Sequence, residues 1–153
     1  NGKNLVQTAE KFMGLPYFWG GTSSKAVDCS GLMRTVWFLN GVILERDASQ
    51  QFMHGISIDI SSSLDSLRPA DLVFFGYVTG EGTERINHVG MYIGDTKVIH
   101  ASGMVKINSL DSTRSDYSSY LGTRLKGARR IIGAENWKGT ERVALSNWYR
   151  SQL

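Results

Sequence analysis

The sequence predicts an α+β domain with helices first and strands afterwards, and three observations carry that prediction. Up to Leu39 the apolar residues recur at three- and four-residue spacing, the period of a helix that buries one face. From Asp71 the pattern turns extended, because Leu72-Val73-Phe74-Phe75-Gly76-Tyr77-Val78 is rich in aromatic and β-branched residues and His88 to Ile93 alternates with a period of two. Segregation of the two patterns favours N-terminal helices packed on an antiparallel sheet over repeated βαβ units. With 153 residues, 41% of them hydrophobic and 20% charged, the chain suits one domain with its own core, residues 1–153.

Leu5, Val6, Ala9, Phe12 and Met13 form the stripe of a first helix, ended by Gly14 and Pro16. A glycine-rich lead-in, Tyr17-Phe18-Trp19-Gly20-Gly21, precedes a second helix that starts at Asp28-Cys29 and carries Leu32, Met33, Val36 and Trp37 on one stripe, with Asn40-Gly41 as its stop. A short third helix over 46–52 has Asp47 as N-cap and Gln50 reaching back as a capping box. Residues 61–66 are a serine-rich turn. Strands are predicted over 72–78, 88–93, 97–101, 105–107 and within 123–132, with a glycine-containing loop from Thr79 to Glu84. Between Asp111 and Leu121 a polar, partly helical loop uses Tyr117, Tyr120 and Leu121 as anchors. A last helix is predicted from near Thr140 on Val143, Leu145, Trp148 and Tyr149, with Trp137 beneath it.

Charge narrows the partners. Seventeen basic and 14 acidic residues leave a net charge of +3, and they are scattered rather than gathered into the basic, aromatic-studded face a nucleic-acid reader needs. Neither a signal peptide nor an apolar run long enough to insert in a membrane is visible. The start at Asn1-Gly2, directly before a helical pattern, reads as that of a fragment.

The single cysteine excludes an intrachain disulfide and a multi-thiolate zinc site. Cys29 sits at a predicted helix start, where unpaired N–H groups and the dipole favour thiolate and lower the thiol pKa from about 8.5. It also lies on the stripe of Leu32, Met33 and Val36, where a thiol serves equally as a small core residue. A base decides between these readings. His88, Gly90 and Tyr92 share one strand face by alternation. If the Gly94-Asp95-Thr96 corner is a three-residue loop, Ile93 pairs with Lys97 and His100 falls opposite Gly90, on the face of His88. A two-residue loop sets His100 opposite Val89, facing away. In the first case the imidazoles are diagonal neighbours, and Gly90 leaves room beneath them for the Cys29 helix. That arrangement assigns Cys29 as nucleophile, His88 as base and then acid, and His100 as the group that orients it. His54 is read as a surface residue.

The ordered set Tyr17-Phe18-Trp19-Gly20-Gly21, Asp28-Cys29-Ser30-Gly31, His88-Val89-Gly90-Met91-Tyr92 and Val98-Ile99-His100-Ala101 resembles the NlpC/P60 family of cell-wall cysteine peptidases, from about Leu5 to Ile132. The resemblance implies a papain-like α+β fold and the same roles for Cys29, His88 and His100. It also implies an oxyanion-hole hydroxyl from Tyr17, beside the backbone N–H of Cys29, and contacts to the D-glutamyl part of the substrate from Asp28, Ser30 and Ser49. Asp28 and Asp47 have helix capping as an alternative role. Relatives usually carry Gly where this chain has Ala70, which puts a local turn in question.

The implied activity is hydrolysis of γ-D-glutamyl-L-diamino-acid bonds in peptidoglycan stem peptides through an acyl-enzyme, with no metal or cofactor, no nucleic-acid partner and no membrane insertion. The implied location is secreted, periplasmic or cell-envelope, and upstream SH3-like domains are possible partners of this catalytic domain. Amidase or acyltransferase chemistry on the same scaffold, a non-catalytic wall-binding module, and zinc held by Cys29, His88 and His100 are the alternatives.

Overall fold

A computed structural model describes residues 1–151. Helix α1 (Gly2–Glu10) is capped by Asn1, whose side chain accepts the Asn4 N–H at 3.0 Å, and buries Leu5 and Ala9. Phe12 stays in the core just past its end, but Met13 is exposed because the chain has already left the helix. Helix α2 (Cys29–Leu39) is the central element. Asp28 is its N-cap, accepting the Gly31 N–H at 2.7 Å, and Leu32, Met33, Val36 and Trp37 are fully buried as their spacing predicts. Strand β1 (Val42–Leu44) leads to α3 (Ala48–Phe52), which opens with the predicted capping box, Gln50 accepting the Asp47 N–H at 2.9 Å.

The remaining strands are β2 (Ile56–Ile58), β3 (Leu72–Val78), β4 (Glu84–Gly94), β5 (Lys97–Ser102), β6 (Met104–Ser109), β7 (Leu125–Arg130) and β8 (Thr140–Arg142), with α4 (Ser119–Gly122) before β7. Strands β2-β7-β3-β4-β5-β6 form one antiparallel sheet in that order, while β1 and β8 pair separately.

Three expectations are corrected here. β4 begins at Glu84 rather than His88. No helix starts near Thr140: residues 140–142 pair with β1, a 3-10 turn follows over Val143–Leu145, and α5 covers only Asn147–Arg150. Trp137 and Tyr120 are half exposed rather than buried anchors, and Leu121 alone is sealed in.

Alternation along the strands builds two apolar layers. Leu72, Phe74, Val89, Met91 and Ile99 face the helices and pack with Leu5, Leu32, Met33, Val36 and Trp37. Val73, Phe75, Tyr92 and Val98 face the other side and are covered by Leu121 and Leu67. His88 and His100 lie on this second side, His88 with its ring centroid 5.7 Å from that of Phe75. At Ala70, where the resemblance puts a local turn in question, the chain turns with a left-handed φ of 80°, closed by the Ala70 N–H donating to the Tyr92 carbonyl at 2.8 Å.

The register of β4 and β5 follows neither expected loop in full. Asp95 and Thr96, at φ 51° and 59°, form a two-residue turn with Gly94 opposite Lys97, and this alone would turn His100 away. Ile93 then bulges out of the ladder, absorbs one residue and returns His100 to its place opposite Gly90. Gly90 is demanded by the neighbouring strand rather than by the Cys29 helix, since a Cβ there runs into Val98 and His100.

Candidate active site

The helix start that carries the thiol is seated on the lead-in loop. Asp28 N–H donates to the Gly21 carbonyl at 3.0 Å, and the same carbonyl lies so close to the Gly31 α-carbon that any Cβ there would collide with it. Tyr17 N–H donates to Gly103 at 3.0 Å and Phe18 N–H to Val27 at 3.1 Å, so the aromatic segment is clamped between β6 and the approach to α2. A cleft of about 440 Å³ opens here. It brings together the predicted residues Tyr17, Asp28, Cys29, Ser30 and Ser49, joined by Trp19 and Arg46, with Ile86 and Asn87 of β4 on the far wall.

Cys29 is buried, with 8% of its surface exposed. Burial raises its thiol pKa, and the N–H groups of Val89, Ser30 and Cys29 itself pull the other way without overcoming it. The expectation of a lowered thiol pKa is therefore corrected: desolvation outweighs the helix start. Val89, whose N–H contributes to that opposing pull, follows His88 directly in β4.

The two histidines meet as the diagonal register requires. His88 Nε2 and His100 Nδ1 are 2.9 Å apart with the rings edge to face at 87°. Burial, and then the neighbouring His100, depress the His88 pKa to about 3, and burial lowers that of His100 against the opposing pull of Asn108. Both shifts disfavour the imidazolium, as burial disfavours the thiolate of Cys29. His100 Nε2 lies 3.0 Å from Asn108 Oδ1, and Asn108 Nδ2 donates to the Asp116 carbonyl at 3.2 Å. Because the facing nitrogens of the rings are spent on each other, they are not free to ligate zinc. Among the described residues no cluster of three His, Cys, Asp or Glu is placed to hold a metal ion.

Tyr17 lines the cleft with its phenol pKa raised by burial and by Cys29 and Asp28 nearby, which keeps it a hydrogen-bond donor. Asp28 is nearly saturated. Its oxygens accept from Gly31 N–H, from Gly20 N–H at 2.9 Å and from Arg46 Nη1 and Nη2 at 3.2 and 2.6 Å. Burial works to raise the carboxyl pKa, but Arg46 and these amides hold it below the usual carboxylate range. Arg46 Nη1 also donates to Ser30 Oγ at 3.0 Å, and Ser49 stands exposed on the cleft wall. His54 is half-buried against Gly139, away from the site.

Sequence reasoning missed Arg46 and Asn108. A buried Asp28 called for a cation, but nothing in the spacing singled out Arg46. Extending two-residue alternation past Ile107 would have put Asn108 on the histidine face.

The NlpC/P60 family model matches residues 14–130. The gamma-D-glutamyl-L-lysine dipeptidyl-peptidase of Bacillus subtilis (strain 168) is 38% identical over 120 residues, covering 78% of this chain and 38% of that protein. The crystal structure of an NlpC/P60 family protein from Bacillus cereus superposes with a TM-score of 0.71 at 34% identity, over 85% of this chain and 40% of that one. The NlpC/p60 domain of the peptidoglycan hydrolase SagA gives a TM-score of 0.65 at 28% identity, over 85% of this chain and 98% of that domain. The chain thus spans well under half the length of the Bacillus relatives. With N-terminal helices packed against a six-stranded antiparallel sheet and a family model matching residues 14–130, the chain belongs to the NlpC/P60 family.

Proposed function

We propose that the chain is the catalytic domain of a cell-envelope cysteine peptidase that hydrolyses γ-D-glutamyl-L-diamino-acid bonds in peptidoglycan peptides. The observation that carries this reading is a cleft that holds the Cys29 thiol at the start of α2 and is walled by the Asp28–Arg46 pair and by Ile86 and Asn87 of β4, which directly precede His88 of the hydrogen-bonded histidine pair. The names of the relatives, a γ-D-glutamyl-L-lysine dipeptidyl-peptidase and a peptidoglycan hydrolase, support the substrate class. The greater length of the Bacillus subtilis peptidase supports a partnership with further domains, such as SH3-like ones.

In this reading the Cys29 sulfur attacks the γ-carbonyl carbon as its proton passes to His88. The oxyanion is met by the Cys29 N–H and the Tyr17 hydroxyl, donors of a kind worth about 3 kcal/mol each. The carbon–nitrogen bond breaks as His88 returns the proton to the departing amine. Water, deprotonated by His88, then releases the acid and the thiol is restored. His100 orients His88. The carboxylate of Asp28 is already committed, so its part is to hold Arg46 and Ser30 in the wall, leaving the Ser49 hydroxyl free for the D-glutamyl group.

Incubation with L-Ala-γ-D-Glu-L-Lys, or its meso-diaminopimelate counterpart, tests this by mass spectrometry beside Cys29→Ala. Release of L-Ala-D-Glu by the wild type alone is expected. A cut between sugar and L-Ala, or transfer to an added amine, would replace the peptidase with the amidase or acyltransferase alternative. Wall binding without cleavage or Cys29 alkylation would leave a binding module.

A further inference from the structure

Three side chains, one from each of three adjacent strands, form a diagonal stripe across the sheet: His88 on β4, His100 on β5 and Asn108 on β6. Each hydrogen bond along it has a direction, and one end is fixed by a group that cannot change. The Asp116 carbonyl only accepts. It takes the Ser109 N–H at 2.8 Å and the Asn108 Nδ2 hydrogen at 3.2 Å, so the amide of Asn108 must turn its nitrogen toward residue 116 and its oxygen toward His100. That oxygen needs a hydrogen from His100 Nε2, 3.0 Å away. A neutral imidazole protonated at Nε2 is bare at Nδ1, where it can only accept, and the hydrogen on the 2.9 Å bond must then come from His88 Nε2. His88 Nδ1 is left bare.

We propose that Asn108 is a positioning residue that sets the tautomer of both histidines, so that His88 presents an unprotonated Nδ1 as the acceptor of the Cys29 proton. The role rests on the reading of Cys29 and His88 as nucleophile and base. The competing arrangement puts the hydrogen of the inner bond on His100 Nδ1 and one on His88 Nδ1, blocking the base. In that state the lone pairs of Asn108 Oδ1 and His100 Nε2 face each other. Without Asn108 nothing on this stripe separates the two arrangements. The other groups around the pair are Phe75 and Tyr120, whose rings flank His88, and Lys106, a positive charge that disfavours protonation of either ring.

The test is ring-nitrogen 15N NMR of the full chain near neutral pH, with peptide cleavage and thermal unfolding, for wild type, Asn108→Ala and Asn108→Asp. Wild type is expected to show His88 bare at Nδ1 and His100 bare at Nδ1. Asn108→Ala should populate both tautomers and lower kcat by about 10- to 100-fold with KM unchanged. Asn108→Asp keeps an acceptor facing His100, so it should retain the wild-type tautomer, recover most of kcat, and move the acid limb of the pH–rate profile upward through its negative charge. A wild-type His88 protonated at Nδ1 would overturn the proposal without any variant. So would equal loss in both variants with unchanged tautomers, the outcome of a merely structural role. The NMR readout needs no substrate: the expected tautomers in a chain that fails to cut the γ-D-glutamyl peptide would sink the functional reading and leave only the tautomer assignment standing.

Discussion

The molecule uses the same device twice, an arginine forked onto a carboxylate, to different ends. Arg130 donates from Nε and Nη2 to Asp71 at 2.8 and 2.7 Å and from Nη2 to the Ser66 carbonyl at 3.0 Å, while Asp71 also takes the Arg68 N–H. The pair fastens the 66–71 corner to β7, and the Asp71 side chain is only 2% exposed. Arg46 and Asp28 make an equally tight fork, but its arginine side chain is 30% exposed and it stands in the wall of the cleft. Fork geometry therefore says little about role. The role comes from what lies on the open side: backbone at Arg130, the cavity at Arg46.

Substitution should separate the two forks. Arg130→Ala leaves a buried Asp71 carboxylate without its cation and is expected to cost about 3–5 kcal/mol in urea denaturation, with kcat/KM of the folded protein unchanged. Arg46→Ala is expected to cost about 10- to 100-fold in cleavage of the γ-D-glutamyl peptide, but at most about 2 kcal/mol of stability, since Asp28 keeps the Gly20 and Gly31 N–H groups and sits closer to solvent. If the two variants lost stability equally with activity spared, the distinction would fail. Arg46→Lys should not rescue, because a single ammonium cannot span both carboxylate oxygens.

Acid titration compares the forks with the histidine stripe. As pH falls below 6.5 the unfolded chain takes up protons that folded His88 refuses until about pH 3, so stability should decline through that window. The carboxyl of Asp28 is depressed below 3.8, so its contribution persists until the pH falls past that value. His88→Gln should make the upper part of the curve shallower, leaving there what the depressed His100 contributes. The smallest expected effect is at the turn held by the Asp71 corner: Ala70→Gly relieves a left-handed alanine and should raise stability by about 1 kcal/mol, read as a shift in the urea midpoint.

Much of this was legible in the chain. β3 spans the residues its composition marked out, α2 buries the stripe its spacing marked out, and the capping roles of Asp28 and Asp47 follow from neighbours within a turn. Strands β1, β2 and β8 were not legible, because three residues are too few to display alternation. The early start of β4 was hidden by the polar run Glu84-Arg85, which pairs through its backbone with Tyr77 and Val78.

By itself the sequence determined the first three helices, the main strands, and the order in which a thiol and two imidazoles enter the fold, since periodicity and capping act over a few residues. Tertiary structure decided the rest. The Ile93 bulge put the rings on one face, burial disfavoured the charged forms of the thiol and both histidines, and long-range packing delivered Arg46 to Asp28 and Asn108 to His100. Register and desolvation are sums over segments far apart in the chain, and no local pattern contains them.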